Sequence, residues 1–274
     1  MTIQKQSLVL DNGGTIWLSP NPSYVNLSIP DLSKPDSSQL YDIGTAYVFN
    51  GKCYYYAYCT AAVKSRVAAE CSYDQTLSYR ACPTTTAIYG TEIYVTTVSP
   101  DGPNSDGTFA VDYMKGGDLT VFAHGSTVTD DDFSRGIIAS SAVATAGSMK
   151  LTLDAPIPHE VTAATSIIEA NASQYAGIKT GASVNYPKVG LPACVAAATQ
   201  WVWVQTWGKC WIAPQSNVGV AGAIGIVFRH DGSLEKTDQT VSATISSQYA
   251  GYCVTGLAAG TQSAPIVYLQ IAHP

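Results

Sequence analysis

The sequence predicts an all-β protein, a jelly-roll-like sandwich or barrel of many short antiparallel strands. Three observations carry that expectation. Gln200 to Pro214 holds four of the five tryptophans and alternates aromatic with β-branched residues at period two, the spacing of a strand covered on both faces. Short β-rich segments separated by Gly, Pro, Asn and Asp recur along most of the chain, as sandwiches and barrels require. Only Ala61 to Cys71 has helix-compatible composition, so at most one short helix is expected, and that stretch could equally be a strand.

Taken in order, residues 1–43 read as an extended N-terminal arm. Pro20, Pro22, Pro30 and Pro35 break helices and central strands, while Trp17, Tyr24, Leu27 and Ile29 are apolar anchors spaced along it. The arm either lies over a neighbouring subunit or folds back on its own domain. Residues 44–100 form a hairpin-rich region. Ala46–Phe49, Asn50-Gly51 and Lys52–Tyr56 read as a hairpin with a type I′ turn, followed by strands at Ala87–Tyr89 and Glu92–Val98. The turn cluster Asp101–Gly107 marks a boundary, and 101–274 form the main β domain. Its strands are expected at Leu119–Ala123, Gly136–Ser140, Met149–Leu153 and Ser166–Glu169. After the tryptophan strand come Val218–Val220, Ile224–Phe228, Gln239–Ile245, Tyr249–Thr255 and Ala264–Ile271. In the tryptophan strand itself, Gly208 allows a turn or bulge before Cys210–Ile212 resume the pattern.

Charged residues make up 12% of the chain, about half the usual ~25%. With 17 tyrosines, this suggests a surface covered in an assembly; a neutral, Ser/Thr-coated β protein is the alternative. The net charge of −6 comes with no Lys/Arg cluster, which argues against nucleic acid and anionic membrane as partners. The N-terminus lacks the apolar core of a signal peptide, and the uncharged stretches Val189–Gly208 and Cys210–Phe228 contain proline and glutamine. Synthesis in a cytoplasm is expected, with seven cysteines serving as buried apolar side chains. Cys53 and Cys59 are close enough in sequence to pair later in an oxidising medium, but nothing in the sequence requires it.

No reaction chemistry emerges. The four histidines, His124, His159, His230 and His273, are scattered, and no nucleophile elbow, phosphate loop or zinc helix occurs. Asp130, Asp131 and Asp132 could hold calcium, but a solvated loop or helix start after Thr129 explains them as well. Asp101–Asp112 resembles a calcium loop only loosely, with Pro103 and Ser105 where acids belong. No catalytic residue, cofactor or metal site is expected. The aromatic residues Tyr54, Tyr56, Trp201, Trp203, Trp207 and Trp211 could serve as core, subunit interface or sugar platform. Together with Trp17, Tyr24, Leu27 and Ile29 they form the candidate interface set.

The order Gly44-Thr45, Asn50-Gly51-Lys52, Tyr55-Tyr56-Ala57-Tyr58, Ala61-Ala62, Leu153–Ile157, Trp203–Gly208 and Ala264–Ile271 resembles a family of virion proteins of tailed bacteriophages, across residues 44–274. The segment Thr127–Ile138 resembles that family's strands as well. The resemblance implies a head decoration, or cement, protein: a homotrimer bound to the major capsid protein on the outside of an icosahedral head, located in the virion after synthesis in the host cytoplasm. A glycan- or host-binding module of a head or tail fibre is the alternative. The longer N-terminal arm and the cysteines of Cys53–Cys82 depart from the family pattern and leave a vertex or fibre base open as the position.

Overall fold

A computed structural model describes residues 6–19, 22–71, 76–99, 101–103, 105–123, 132–181, 186–216, 218, 224–237, 245–255 and 265–274. Among these residues there are nineteen strands and no helix, arranged in two sheets. The all-β expectation therefore holds. The chain divides into a main unit, built from Ser7–Leu18, Pro22–Ser72 and Tyr175–Pro274, and an inserted unit centred on Tyr73–Gln174.

The main unit begins with β1 (Ser7–Val9), β2 (Thr15–Trp17), β3 (Ala46–Phe49), β4 (Lys52–Tyr58) and β5 (Ala69–Cys71). Residues 7–18 are thus paired within their own unit: β1 and β2 form a hairpin, and β2 pairs with β3. Ile16 and Leu18 are buried there. The β3–β4 hairpin turns at Asn50 and Gly51, whose φ values of 53° and 72° are those a type I′ turn demands. The helix-compatible stretch forms no helix, and only its last three residues are strand. Val63 makes an isolated bridge to Ala196, and the segment ends in β5.

The inserted unit holds β6 (Thr76–Ala81), β7 (Glu92–Thr96), β8 (Asp118–Ala123), β9 (Phe133–Ser140), β10 (Ser148–Leu153) and β11 (Ser166–Asn171). Their order in the antiparallel sheet is β6-β11-β8-β9-β10-β7. The sheet curls until its edge strands β6 and β7 approach within 8 Å. Alternate residues such as Leu119, Val121, Met149, Leu151 and Ile168 fill the interior, the period-two pattern of a sheet with one covered face. Ala87–Tyr89 is not a strand. Thr86 bridges to Val161, and Tyr89 then turns into the left-handed region. The Asp101–Gly107 turns lie inside this unit. Asp101 is buried, accepts two bonds from the Arg80 guanidinium and caps the amide of Val98.

The main unit resumes with β12 (Ile178–Lys179), β13 (Lys188–Pro192), β14 (Trp201–Trp211), β15 (Pro214–Ser216), β16 (Gly225–Arg229), β17 (Leu234–Lys236), β18 (Ile245–Cys253) and β19 (Ile266–Gln270). Its sheet runs β1-β2-β3-β4-β14-β19-β18-β16-β17-β15, while β13 joins β14 to β5 and β5 joins β12. Among the described residues its strand pairings are antiparallel except β15 with β17, and the isolated bridge of Cys59 to Ile178 is also parallel. Val218 lies in a turn and not in a strand, and most of the expected Gln239–Ile245 strand lies outside the described residues.

The branch is pinned by a buried ion pair. Lys188 and Glu70 are register partners with side chains 0% and 1% exposed. Lys188 Nζ donates to Glu70 Oε2 at 2.5 Å, to the His230 carbonyl at 2.5 Å and to the Gly181 carbonyl at 3.3 Å. Three acceptors for three protons is the condition under which such a charge can stay buried. The Gln248 side chain pairs with both backbone groups of Lys188.

All seven cysteines are free, and burial raises every thiol, to about 12 at Cys59 and Cys210. Cys53 and Cys59 cannot form the disulfide that their sequence proximity suggested. β4 runs between them, so their Cα atoms are roughly 20 Å apart at about 3.3 Å per residue, far beyond the ~7 Å limit for a bridge.

Candidate interaction surfaces

The candidate interface residues separate into core and surface. Tyr54, Tyr56 and Trp203 are interior residues, sealed with Tyr41, Tyr47, Ile16 and Leu18. Trp203 has the rings of Tyr41, Tyr56 and Tyr47 at 5.1, 5.0 and 5.8 Å. Burial pushes the Tyr54 hydroxyl up to about 12. These side chains are consumed by packing within the chain and present nothing to a partner. Trp17 and Trp201 are half-buried, Trp201 against Tyr58 at 5.1 Å.

Beyond Gln205 the same strand changes character. The β4–β14 register shifts between Gln205 and Trp207. Gly208 takes φ +93°, and a Cβ there would stand 2.5 Å from the Gly51 carbonyl oxygen. The buried Gln205 side chain fixes this bulge: its Nε2 faces the carbonyls of Trp207, Gly208 and Lys209 at 3.0, 3.3 and 3.2 Å. The strand then leaves β4 and pairs with β19.

That change exposes a face three strands wide. Lys209 lies opposite Tyr268, which lies opposite Tyr252; Trp211 lies opposite Ile266, whose carbonyl accepts from the Val254 amide; Trp207 lies opposite Gln270. Gln270 Oε1 accepts from the Tyr249 hydroxyl at 3.4 Å. Trp211, Tyr249, Tyr252, Val254 and Ile266 are exposed. The alternate residues Cys210, Val267, Leu269 and Cys253 pack inward. The rings are rigidly arranged. Tyr252 and Tyr268 stack at 5.2 Å and 5°, and Trp207 meets Tyr268 and His273 edge-on. Gly251 permits the β18–β19 approach, because a Cβ would fall 1.9 Å from the Tyr268 carbonyl oxygen. Lys209 supplies the sole charge of β18, β19 and the Trp207–Trp211 part of β14, and among the described residues it makes no ion pair.

A second apolar surface of the main unit is the strap 22–36. Tyr24, Val25, Leu27 and Ile29 are exposed, Leu27 by 69%. Polar contacts hold the strap from beneath. The buried Asp42 carboxylate accepts the amides of Ser23 and Tyr24 at 2.9 and 3.3 Å, and Tyr41 donates its hydroxyl to the Ser28 carbonyl at 3.1 Å. Further along, Asp36 pairs its backbone with Trp201 and accepts from the Tyr56 hydroxyl at 2.8 Å. Burial raises the Asp36 carboxyl, with the Tyr56 bond opposing. At the strap's exposed bend, bonds from Ser33 with help from Lys34 hold Asp31 down to about 2.

The inserted unit exposes Tyr79 by 67% and Tyr89 by 75%. Both occupy the left-handed region, at φ 54° and 69°, which costs a non-glycine residue about 1–2 kcal/mol. The Glu169 carboxylate accepts from the Tyr79 amide and the Ser78 hydroxyl at 3.2 and 3.1 Å, and Tyr89 donates its amide to Ile157.

Of the acidic run, Asp130 and Asp131 lie outside the described residues, as does His124. Among the described residues no three His, Cys, Asp or Glu side chains group as metal ligands. Sequence reasoning singled out Trp207 and Trp211 but missed Tyr249, Tyr252 and Tyr268. The available signal was the parity of Ile266, Tyr268 and Gln270 against the buried Val267 and Leu269. No protein-family model, no curated protein and no solved structure matches the chain.

Proposed function

We propose that this chain is a structural protein of a tailed-phage virion, a homotrimer that decorates the outside of the icosahedral head and bridges major capsid subunits. The observation that carries the reading is the placement of aromatic side chains on exposed surfaces of both units: Tyr79 and Tyr89 in one, and in the other Trp211, Tyr249 and Tyr252, on a face whose strands carry the single charge of Lys209. Tyrosine and tryptophan supply much contact area for few rotatable bonds, which makes them the usual anchors of protein interfaces. The order of motifs across 44–274 supports the virion assignment. A clamp spanning several subunits adds contact area that the shell lacks against outward pressure from packed DNA. Symmetry repeats each weak contact, so avidity replaces single strong sites.

A fibre-borne glycan-binding module is the second reading, favoured by the same aromatic residues. Sugars stack on open ring faces, whereas Tyr252 and Tyr268 turn their faces toward each other, which ranks this reading lower. Quantitative mass spectrometry and cryo-electron microscopy of virions carrying the chain distinguish the two. Decoration predicts a copy number comparable with that of the capsid protein and density on the outer shell. A handful of copies at a fibre, or none, rejects it. The Tyr79→Ser/Tyr89→Ser variant is expected to stay folded and to lose coating of undecorated heads.

A further inference from the structure

We propose that Asn50, at the tip of the β3–β4 hairpin, is a site of spontaneous deamidation. The Gly51 amide nitrogen bonds to the Asn50 carboxamide carbon, and that carbon's own nitrogen departs as ammonia, taking the Gly51 amide proton with it. One water then opens the resulting cyclic imide, leaving aspartate or isoaspartate. The inference concerns this turn alone and is independent of the virion reading.

The chemistry needs a side chain free to turn, a following amide nitrogen without a partner, and no Cβ on that following residue to obstruct the ring. Asn-Gly and Asp-Gly pairs occur at Asn12, Asn50, Asp101, Asp106 and Asp231. At all of them except Asn50 the fold occupies the side chain. Asn12 Oδ1 accepts from the Gly14 amide at 2.9 Å, and its Nδ2 donates to the Tyr47 hydroxyl at 2.8 Å. Asp101 is buried, its carboxylate held by Arg80 and the Val98 amide. Asp106 Oδ1 accepts from the Thr108 amide at 2.9 Å, and Asp231 Oδ1 from the Ser233 amide at 3.0 Å. Asn50 and Gly51 are instead exposed. Among the described residues neither the Asn50 side chain nor the Gly51 amide makes a hydrogen bond. Asn50 lies at φ 53° in a turn closed by the pairing of Phe49 with Lys52, so the tip must loosen before the nitrogen reaches the carbon. Hairpin tips open locally at little cost, without unfolding the sheet behind them. The product matters to the fold, because isoaspartate adds a backbone carbon to a turn built for two residues. Gly208 packs directly on this turn, where a Cβ would stand 2.5 Å from the Gly51 carbonyl oxygen. A lengthened turn therefore presses on the bulge of β14.

The experiment incubates the full-length folded protein at mildly alkaline pH and follows each Asn-Gly peptide by mass spectrometry over time. Asn12 is the internal control, since glycine follows it as well. In the folded protein Asn50 is expected to convert about tenfold faster than Asn12 or more, because only Asn12 must first break its bonds. The Asn50 rate is expected to rise with pH, as the attacking nitrogen has to lose its proton. In concentrated urea the two rates are expected to converge, since the fold is what distinguishes the sites. An Asn50 that stays intact, equal rates in the folded protein, or a difference that persists in urea would each overturn the site. The charge-shifted fraction, enriched in isoaspartate, is expected to melt below the unaltered protein. Asn50→Asp supplies the same charge on an ordinary backbone, in a pair the type I′ turn accepts, and is expected to melt close to the unaltered protein. An isoaspartate fraction that melts with the unaltered protein would overturn the coupling of the turn to the bulge.

Discussion

Trp203 and Trp211 stand on one strand, yet Trp203 is enclosed by three tyrosine rings while Trp211 lies exposed beside Ile266. The two parts of β14 share their residue types and their period. What separates them is the bulge between Gln205 and Trp207, after which the strand leaves β4 and pairs with β19. Before the bulge, Trp203 faces the tyrosine cluster while Val202 and Val204 face a second core. After it, one side still packs on Val267 and Leu269, and the other looks outward. Aromatic density in a strand therefore says how much area is available for burial, and the partner strands decide whether the chain or something else covers it.

The largest expected effect comes from emptying the interior part. Trp203→Ala removes a ring that contacts three others in a sealed cluster, and truncations of this kind cost about 3–5 kcal/mol. All five tryptophans belong to the main unit, so denaturant unfolding followed by tryptophan fluorescence reports on that unit. A midpoint close to that of the unaltered protein would mean that these ring contacts do not stabilise the unit.

Gln205→Leu comes next, because it attacks the hinge between the two parts. Leucine is of similar size but cannot face the carbonyls of residues 207–209, and leaving buried acceptors without a donor costs about 1–3 kcal/mol. The loss should reach function as well, because the bulge orients Lys209 and Trp211. Weakened self-association with a modestly lowered unfolding midpoint is the expected pair of results. A change in stability with association intact would separate the bulge from the surface it presents.

How much of this could be read from the sequence differs by distance along the chain. Period-two spacing made the tryptophan strand plain, and Asn50-Gly51 fixed the β3–β4 hairpin, because both signals are local. Gly208 announced an irregularity without saying which side would emerge exposed. That depends on β19, which meets the strand only in the folded chain. The Lys188–Glu70 pair was illegible for the same reason: nothing near Glu70 in sequence foretells a buried ammonium from another strand. The short β1 and β2 were hidden by the nearby prolines and by their three-residue lengths, too brief for a periodicity to register. At Ala87–Tyr89, β-favouring residues lost to backbone geometry, with Tyr89 left-handed in a loop bonded to Ile157.

The smallest expected effect on stability belongs to the outer part, and it sharpens the comparison most. Trp211→Ala trims a side chain that is already partly in water, so its cost should stay below about 1 kcal/mol, near the range of ordinary surface changes. If the face is covered by another copy, the same substitution removes an aromatic anchor, and such anchors carry about 2 kcal/mol or more of binding. The prediction is thus a dissociation: nearly unchanged urea unfolding for a dilute chain, with self-association weakened by more than tenfold. Equal losses of stability at Trp203 and Trp211 would show that both parts of the strand serve the fold. Equal indifference of association would show that the outer aromatic residues serve neither.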